Sequence, residues 1–406
     1  MGRFPMTKNV NSSTSRGESS DQMSNKQNQT PDAGRRSTWW KIGYGLWLTV
    51  NIVVVVGLVC SSYAGMLNPV EVAGAGIVGM TLPGWFGAVV FITVFDLIWW
   101  RRTSLLPIAA MLVCAQPLWN FCPLNLPPGK LSADEEERAF TLLTYNTLTF
   151  SDLEMDDGPN HTVEYILQQD ADIVCLQEVY ILRESESLHI TAEQIEALHR
   201  RYPYIILSSP SQCVLSKYPV NALHIDYYRP DANGGDFAAY QIDIDGHKVT
   251  VFNCHFQSIG LTGEDKQLYA DITDGKANRK SVGEVSNHLL AKLMHANQRR
   301  ARQAEMIGRY IKHYGGENVI VCGDFNDVPG CYTLRRLAEF DLKEVYPEVG
   351  FGPMITYNAN RFYFRIDHVL YRGCFKPHSM VRGSLKSSDH YPLTTTFVFD
   401  RQKTKQ

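Results

Sequence analysis

The sequence predicts an α/β domain over residues 139–400, carried behind membrane-spanning helices, and two observations predict it. Short β-branched and aromatic runs at 140–145, 172–176, 204–207, 240–244, 248–254, 319–322, 366–371 and 394–399 alternate with helical patterns at 161–169 and 281–313. Ahead of them, three apolar stretches at 42–65, 72–98 and 104–121 hold one charge between them, Asp96. Each is close to the length of about 20 residues that crosses a hydrocarbon core.

Residues 1–41 are rich in Ser, Asn and Gln and carry Arg3, Lys8, Arg16, Lys26, Arg35, Arg36 and Lys41. Such a segment is expected to be a disordered, basic cytoplasmic tail. It lacks the short n-region and small-residue cleavage site of a signal peptide. The 42–65 stretch contains V-V-V-V. The 72–98 stretch runs into Trp99-Trp100 and then Arg101-Arg102. The 104–121 stretch is interrupted by Pro107 and Pro117. The basic tail and Arg101-Arg102 belong on the cytoplasmic side, and the 65–71 loop, without Lys or Arg, belongs outside. Three spans then put the following domain on the extracytoplasmic side of a multi-pass membrane protein. If the third stretch fails to span, the domain is cytoplasmic. Residues 122–138, with Pro127-Pro128 and then four acids from Asp134, read as a stiff, then charged linker.

The nine cysteines show no C-x-x-C spacing, and Cys175, Cys254 and Cys322 lie inside apolar runs. They read as buried thiols rather than a disulfide framework or zinc ligands, which leans towards a reducing compartment and against the charge rule. The net charge of −3 argues against holding nucleic acid by bulk electrostatics. On the 281–313 helix, Val285, Leu289, Leu293, Ala304, Ile307 and Ile311 form an apolar stripe. Lys292, Arg299, Arg300, Arg302 and Arg309 are expected on a solvated face rather than on a phosphate-binding surface.

Polar residues gather at the strand ends. Asn146 follows L-L-T-Y, Gln177-Glu178 follow I-V-C-L, and His255 follows V-F-N-C. Asp324 and Asn326 follow V-I-V-C-G, Asp367-His368 open V-L-Y, and Ser388-Asp389-His390 precede the last strand. Residues i and i+2 of an extended segment share a face, so Asp324 and Asn326 emerge side by side. Asp and Asn also make ordinary turns, so the signal lies in six strand boundaries ending alike. Gln177 is expected behind the site, and His368 on the opposite strand face from Asp367.

These segments, T-Y-N, L-Q-E, N-C-H-F, G-D-F-N, R-I-D-H and S-D-H in that order, resemble the endonuclease/exonuclease/phosphatase superfamily (deoxyribonuclease I-like and exonuclease III-like). L-S-K-Y-P at 215–219 matches too, and the membrane front resembles a multi-pass bacterial membrane subgroup. The resemblance implies a two-sheet β-sandwich flanked by helices, with a site at one end of the sandwich. It implies hydrolysis of a phosphodiester or phosphomonoester by in-line attack of water. It makes Glu178 the principal metal ligand, with Asn146 and Asp389 at the metal. Asp324 activates the water with Asn326 beside it, His390 contacts the phosphoryl oxygen, Asp367 orients His390, and His255 binds phosphate or assists the leaving group. Asn146, His255 and Asn326 are thus also substrate-binding. Such an oxygen-rich set suits Mg²⁺ or Mn²⁺ rather than zinc. The expected partners are a lipid bilayer and a phosphate-ester substrate. A nuclease on DNA or RNA and a catalytically silent membrane-tethered binding module are the alternatives. Abasic-site endonucleases of this family carry an acid where this chain has Leu148, which counts against abasic-site repair. Ser211-Gln212-Cys213 stands where many relatives have Gly-Asn.

Overall fold

The computed structural model describes residues 33–154, 158–179, 190–209, 211–225, 235–263, 265, 279–359 and 362–401. The chain divides into two units, Met1–Thr49 and Val50–Gln406. The first contributes the opening turns of helix α1 (Ala33–Tyr63), where Trp40 stacks on Tyr44. Residues 33–41, expected in the tail, are therefore already helical; residues 1–32 of that tail lie outside the described residues.

Two helices among the described residues are long and apolar enough to cross a membrane, Thr38–Met66 and Leu82–Trp99. The expected three spans are corrected accordingly. The 72–98 stretch is split into α2 (Ala75–Met80) and α3 (Leu82–Trp99), with Pro83 in the first turn of α3. The 104–121 stretch is not one helix but two short ones, α4 (Leu105–Val113) and α5 (Ala115–Phe121), which meet at Cys114. The break has a local cause. Pro117 stands four residues after Val113 and has no N–H to give its carbonyl. The Tyr63 hydroxyl donates to Val113 O instead, at 2.5 Å.

The expected linker is docked rather than free. Leu124 bridges to Phe351, and the Asn125 amide donates to Pro347 O at 3.1 Å and Gly350 O at 2.9 Å. Ser132 and Glu135 form a capping box on α6 (Ala133–Glu136).

In chain order the strands are β1 (Ala139–Asn146), β2 (Ile173–Gln177), β3 (Tyr204–Ser209), β4 (Gln212–Ser216), β5 (Val220–Ala222), β6 (Asp236–Ile244), β7 (His247–His255), β8 (Asn318–Asp324), β9 (Lys343–Glu344), β10 (Tyr357–Ala359), β11 (Phe362–Phe364), β12 (Asp367–Arg372), β13 (Phe375–Arg382) and β14 (Leu393–Phe399). They build two sheets of six, β13-β14-β1-β2-β4-β3 and β5-β6-β7-β8-β12-β9, plus the β10-β11 hairpin. The β1–β2 and β7–β8 pairs are parallel and the other pairs antiparallel. Helices α7 (His161–Gln169) and α8 (Ala192–Arg201) accompany the first sheet, and α9 (Arg279–Tyr314) and α10 (Tyr332–Ala338) the second.

Alternation along each strand sorts the core. Leu142, Ile173, Val251, Ile320, Cys322, Val369 and Phe397 fill the space between the sheets. Their odd-step neighbours Leu143, Val174, Phe252, Val321 and Leu370 face outward under the helices. Both faces of the central strands are covered, so these runs read as continuous apolar segments.

Candidate active site

Counting on by twos along the inward face leads out of the core into one cluster. On β8 the inward residues Ile320 and Cys322 are followed by Asp324; on β7, Val249 and Val251 by Asn253 and His255; on β12, Tyr371 and Val369 are preceded by Asp367; on β1, Leu142 and Thr144 lead to Asn146. The register aligns them. His255 pairs with Asp324 across the parallel β7–β8 ladder, and Asp367 pairs with Asp324 across β8–β12. Three side chains therefore stand in a row along the end of one sheet, with Asn146 facing them from the other.

Asp324 is 1% exposed. Its carboxylate accepts the Asn326 N–H at 2.8 Å and the side-chain amides of Asn146 and Asn326 at 3.1 Å each. The same Asn146 amide donates to Glu178 Oε1 at 3.2 Å, while its carbonyl accepts the Leu148 N–H. One neutral amide thus joins the two carboxylates. Glu178 follows β2 with φ of +57°, a left-handed backbone that turns it off the strand's alternation towards the site. The Thr149 N–H fixes that turn by donating to Glu178 O at 3.0 Å.

Two imidazoles complete the cluster. His255 Nε2 lies 3.5 Å from Glu178 Oε1 and 3.6 Å from Asp324 Oδ2. His390 Nε2 lies 3.5 Å from Asp324 Oδ2, and its Nδ1 is 2.9 Å from Asp367 Oδ2. Burial alone would lower the His390 pKa. The Asp367 and Asp324 carboxylates, the Asp367 hydrogen bond and nearby Asp389 outweigh it and hold the ring well above the usual histidine range. Burial pushes the Asp367 carboxyl upward, against the pull of His390. The result is an Asp367–His390–Asp324 chain in which the carboxylates favour the charged form of the ring.

The expected residues thus separate. Asn146, Glu178, His255, Asp324, Asp367 and His390 come together. Asn326 is adjacent, with φ of +50°, and its amide also donates to Phe256 O at 3.0 Å, so it anchors Asp324. The Asp389 side chain meets Ser388 at 3.4 Å and contributes to the field on His390. Gln177 is floor: its amide donates to Asn253 Oδ1 at 2.6 Å and Thr144 Oγ1 at 3.1 Å. His368 faces away, between Glu344 and Asp327 O. Three contributors carried no signal in the sequence. Thr356 Oγ1 accepts the Asp367 N–H at 3.1 Å, Tyr357 packs edge-on to His390 at 5.0 Å, and Asp236 pairs in register with His255.

A divalent cation needs hard oxygens that the protein has not already neutralised. Asp324, Asp367 and His390 place ligand-type atoms within 4.8 Å of one another. In that group, however, Asp367 is already bound to the ring of His390. Glu178 is the carboxylate with room, since its side chain is 24% exposed and faces Asp324 across the Asn146 amide. Glu178 and Asp324 both offer hard carboxylate oxygens of the kind a divalent ion takes.

The chain matches the Endonuclease/Exonuclease/phosphatase family over residues 143–390, and a domain of unknown function over residues 44–121. Its solved structural neighbours include a humanized D. rerio TDP2 carrying 14 mutations (16% identity, TM-score 0.43, 64% of this chain and 99% of that chain). They also include the human nocturnin catalytic domain with bound sulfate (16%, 0.41, 65% and 94%). A third is an endonuclease/exonuclease/phosphatase from Beutenbergia cavernae (15%, 0.38, 65% and 72%). No curated protein matches the chain.

Proposed function

The chain belongs to the endonuclease/exonuclease/phosphatase family, metal-dependent hydrolases of phosphate ester bonds, and from that premise we propose a membrane-held, Mg²⁺-dependent phosphoesterase. The observation that carries the proposal is the His255–Asp324–Asp367 row facing Glu178 and Asn146, completed by His390. Asp324 orients the attacking water and takes its proton. Held fast by three N–H donors, it is pre-placed for that task. His390, kept protonated by Asp367, offers Nε2–H to a phosphoryl oxygen, and His255 Nε2 binds a second oxygen or the leaving group. Glu178 would hold the cation, with Asp324 and Asp389 near it. When bound, the ion neutralises phosphate charge and stabilises the in-line transition state.

Activity is expected to vanish on chelation and return with Mg²⁺ or Mn²⁺. Glu178→Gln should raise the Mg²⁺ concentration for half-maximal rate by about 10–100-fold, the range typical of weakened metal sites. A Mg²⁺ titration of turnover checks both. An unmoved half-maximal concentration in the variant would remove Glu178 from the metal.

Membrane attachment is proposed from the inverted pattern of the helical region. Val53, Val56, Phe91, Val94 and Ile98 are exposed, while Asn51, Thr93 and Asp96 are buried inside. Water-facing bundles show the reverse, and intramembrane polar residues face the bundle interior. Although broken, α4 and α5 together return along α3. They begin after Arg101-Arg102 at its C-terminal end, and Phe121 packs on Phe86 near its N-terminal end, with ring centroids 6.1 Å apart. The catalytic domain meets the end of α1, where Arg335 donates to Ser62 O at 3.1 Å, and the end of α5. Arg101-Arg102 stand at the other end of α3. The charge rule then supports an extracytoplasmic domain. A fusion after Lys130 is expected to be active with an extracytoplasmic reporter and silent with a cytoplasmic one. The opposite result reverses the topology.

The substrate is proposed to be a phosphoester other than nucleic acid, supported by the net charge of −3, by Leu148 and by the membrane-side position of the domain. Turnover of phospholipid head-group esters, inositol phosphates, abasic duplex and plain DNA under one Mg²⁺ condition tests this. DNA turned over about tenfold faster than the rest would establish the nuclease, and no turnover at all would favour the silent binding module.

A further inference from the structure

Two buried arginines stand behind the site and do not enter it. Arg365 is 4% and Arg300 1% exposed, although Arg300 was expected on the solvated face of α9. Arg365 precedes Asp367 by two residues, yet its guanidinium pairs with Glu344 at 3.2 Å and lies over the Tyr346 ring at 4.4 Å. It also donates to Asn120 O, in the last turn of α5. Glu344 in turn meets His368 Nδ1 at 2.8 Å, and His368 Nε2 donates to Asp327 O at 3.0 Å. A continuous polar path therefore runs from the membrane-side helix α5 to the turn that carries Asp324 and Asn326.

Arg300 reaches the same turn from the other side. Its Nε lies 3.7 Å from Asp327 Oδ2, and its Nη1 donates at 3.1 Å to Gln257 O, two residues after His255. Its Nη2 donates to Asn297 Oδ1. Asn297 rests on α2, where a Cβ added at Gly76 would come within 2.2 Å of its amide nitrogen. Beyond Asp327, a Cβ on Gly65 would sit 2.0 Å from Gly330 O, so the end of the first span abuts the same turn.

Burying an ion pair is a poor way to gain stability, since apolar residues of equal volume do as well or better. What two guanidinium forks supply is fixed geometry. We infer that Arg365 and Arg300 are positioning residues that clamp the Asp324–Asp327 turn from two sides, braced by the membrane-side helices α5 and α2. The inference rests on the phosphoesterase reading only for its kinetic readout. Hydrogen exchange supplies a readout that does not need activity.

The test uses the full chain in lipid nanodiscs, with Arg365→Gln, Arg365→Lys and Gly76→Val. The last pushes on Asn297 without touching the site. Amide exchange over residues 325–330 is compared with exchange over 319–322, and kcat and KM are measured on bis-p-nitrophenyl phosphate. Arg365→Gln should speed exchange in the turn by about tenfold with the strand unchanged, and lower kcat by about tenfold with KM nearly constant. Arg365→Lys, which keeps the charge but not the fork, should recover part of both, and it decides the matter if the Gln variant does not fold. Gly76→Val should move the turn in the same direction by about threefold. Turn exchange that moves only in step with the strand, with kcat within about twofold of wild type, would make Arg365 a stabiliser of the fold and overturn the proposal. A wild-type chain that hydrolyses no phosphoester would defeat the functional reading alone, and exchange would still decide this one.

Discussion

Asp324→Asn is expected to lower kcat by about a thousandfold, within the range for losing a positioned base, while the domain stays folded. The substitution keeps shape and removes charge. Oδ1 can still accept the Asn326 N–H, but the new amide would face the Asn146 and Asn326 amides, both donors. That conflict costs about 1–3 kcal/mol. It is offset in part because Asp324 no longer repels Glu178 and Asp367. His390 also loses one of the three carboxylates that favour its charged form, so the acid and the base are weakened together. Single-turnover kinetics with a melting curve check it. Turnover within about tenfold of wild type would exclude Asp324 from water activation.

Gly323→Ala is expected to be the most damaging single methyl in the domain. Gly323 has φ of +129°, a region that L-residues avoid, and its Cβ would lie 2.0 Å from Cys254 O. That oxygen belongs to the backbone of the neighbouring central strand, so no side chain can swing away. Strain and overlap together should cost about 3–5 kcal/mol, seen as a fall in melting temperature of about 10 °C for a domain of this size. The clash lies one residue from the His255–Asp324 pair, so surviving protein should be inactive. Gly330→Ala is the control. Gly330 also has positive φ (+79°) but nothing within 4 Å of its Cβ position, so only the backbone term of about 1 kcal/mol applies. Equal losses at the two positions would show that the Cys254 contact does not matter.

The central strands were legible because both their faces are covered. All eight apolar runs named from the sequence lie in or over observed strands, and α7 begins and ends where its pattern does. Strands with little apolar pattern were not legible: the edge strand β13 holds Pro377 and a register shift, the edge strand β9 is two residues long, and the interior strand β4 offers three apolar residues in Q-C-V-L-S. The site was legible at strand ends, where alternation carries a polar residue out of the core on a known face. It was not legible where loops deliver the partner, as with Thr356 and Tyr357. Helical spacing puts Arg300 on the apolar stripe itself, seven residues after Leu293 and four before Ala304, and its charge alone argued for a solvated face. Its burial comes from Asp327 and Gln257, distant in sequence, and from Asn297, whose role depends on α2. The third stretch is not a single helix because apolarity predicts where a segment is comfortable, whereas Pro117 decides whether its hydrogen bonds can continue.

The alignment of β14 beside β1 has a consequence for biogenesis. β1 opens the domain, but its neighbour on one side is the last strand, Leu393–Phe399, and His390 lies just ahead of it. Pairing them closes a loop of nearly the whole domain, the kind of long-range step that slows folding. β7 and β8 also pair only after α9 has crossed between them. A growing chain therefore holds Glu178, His255 and Asp324 long before it holds His390. Hydrolysis should switch on late in synthesis, after the apolar helices α1 and α3 have emerged.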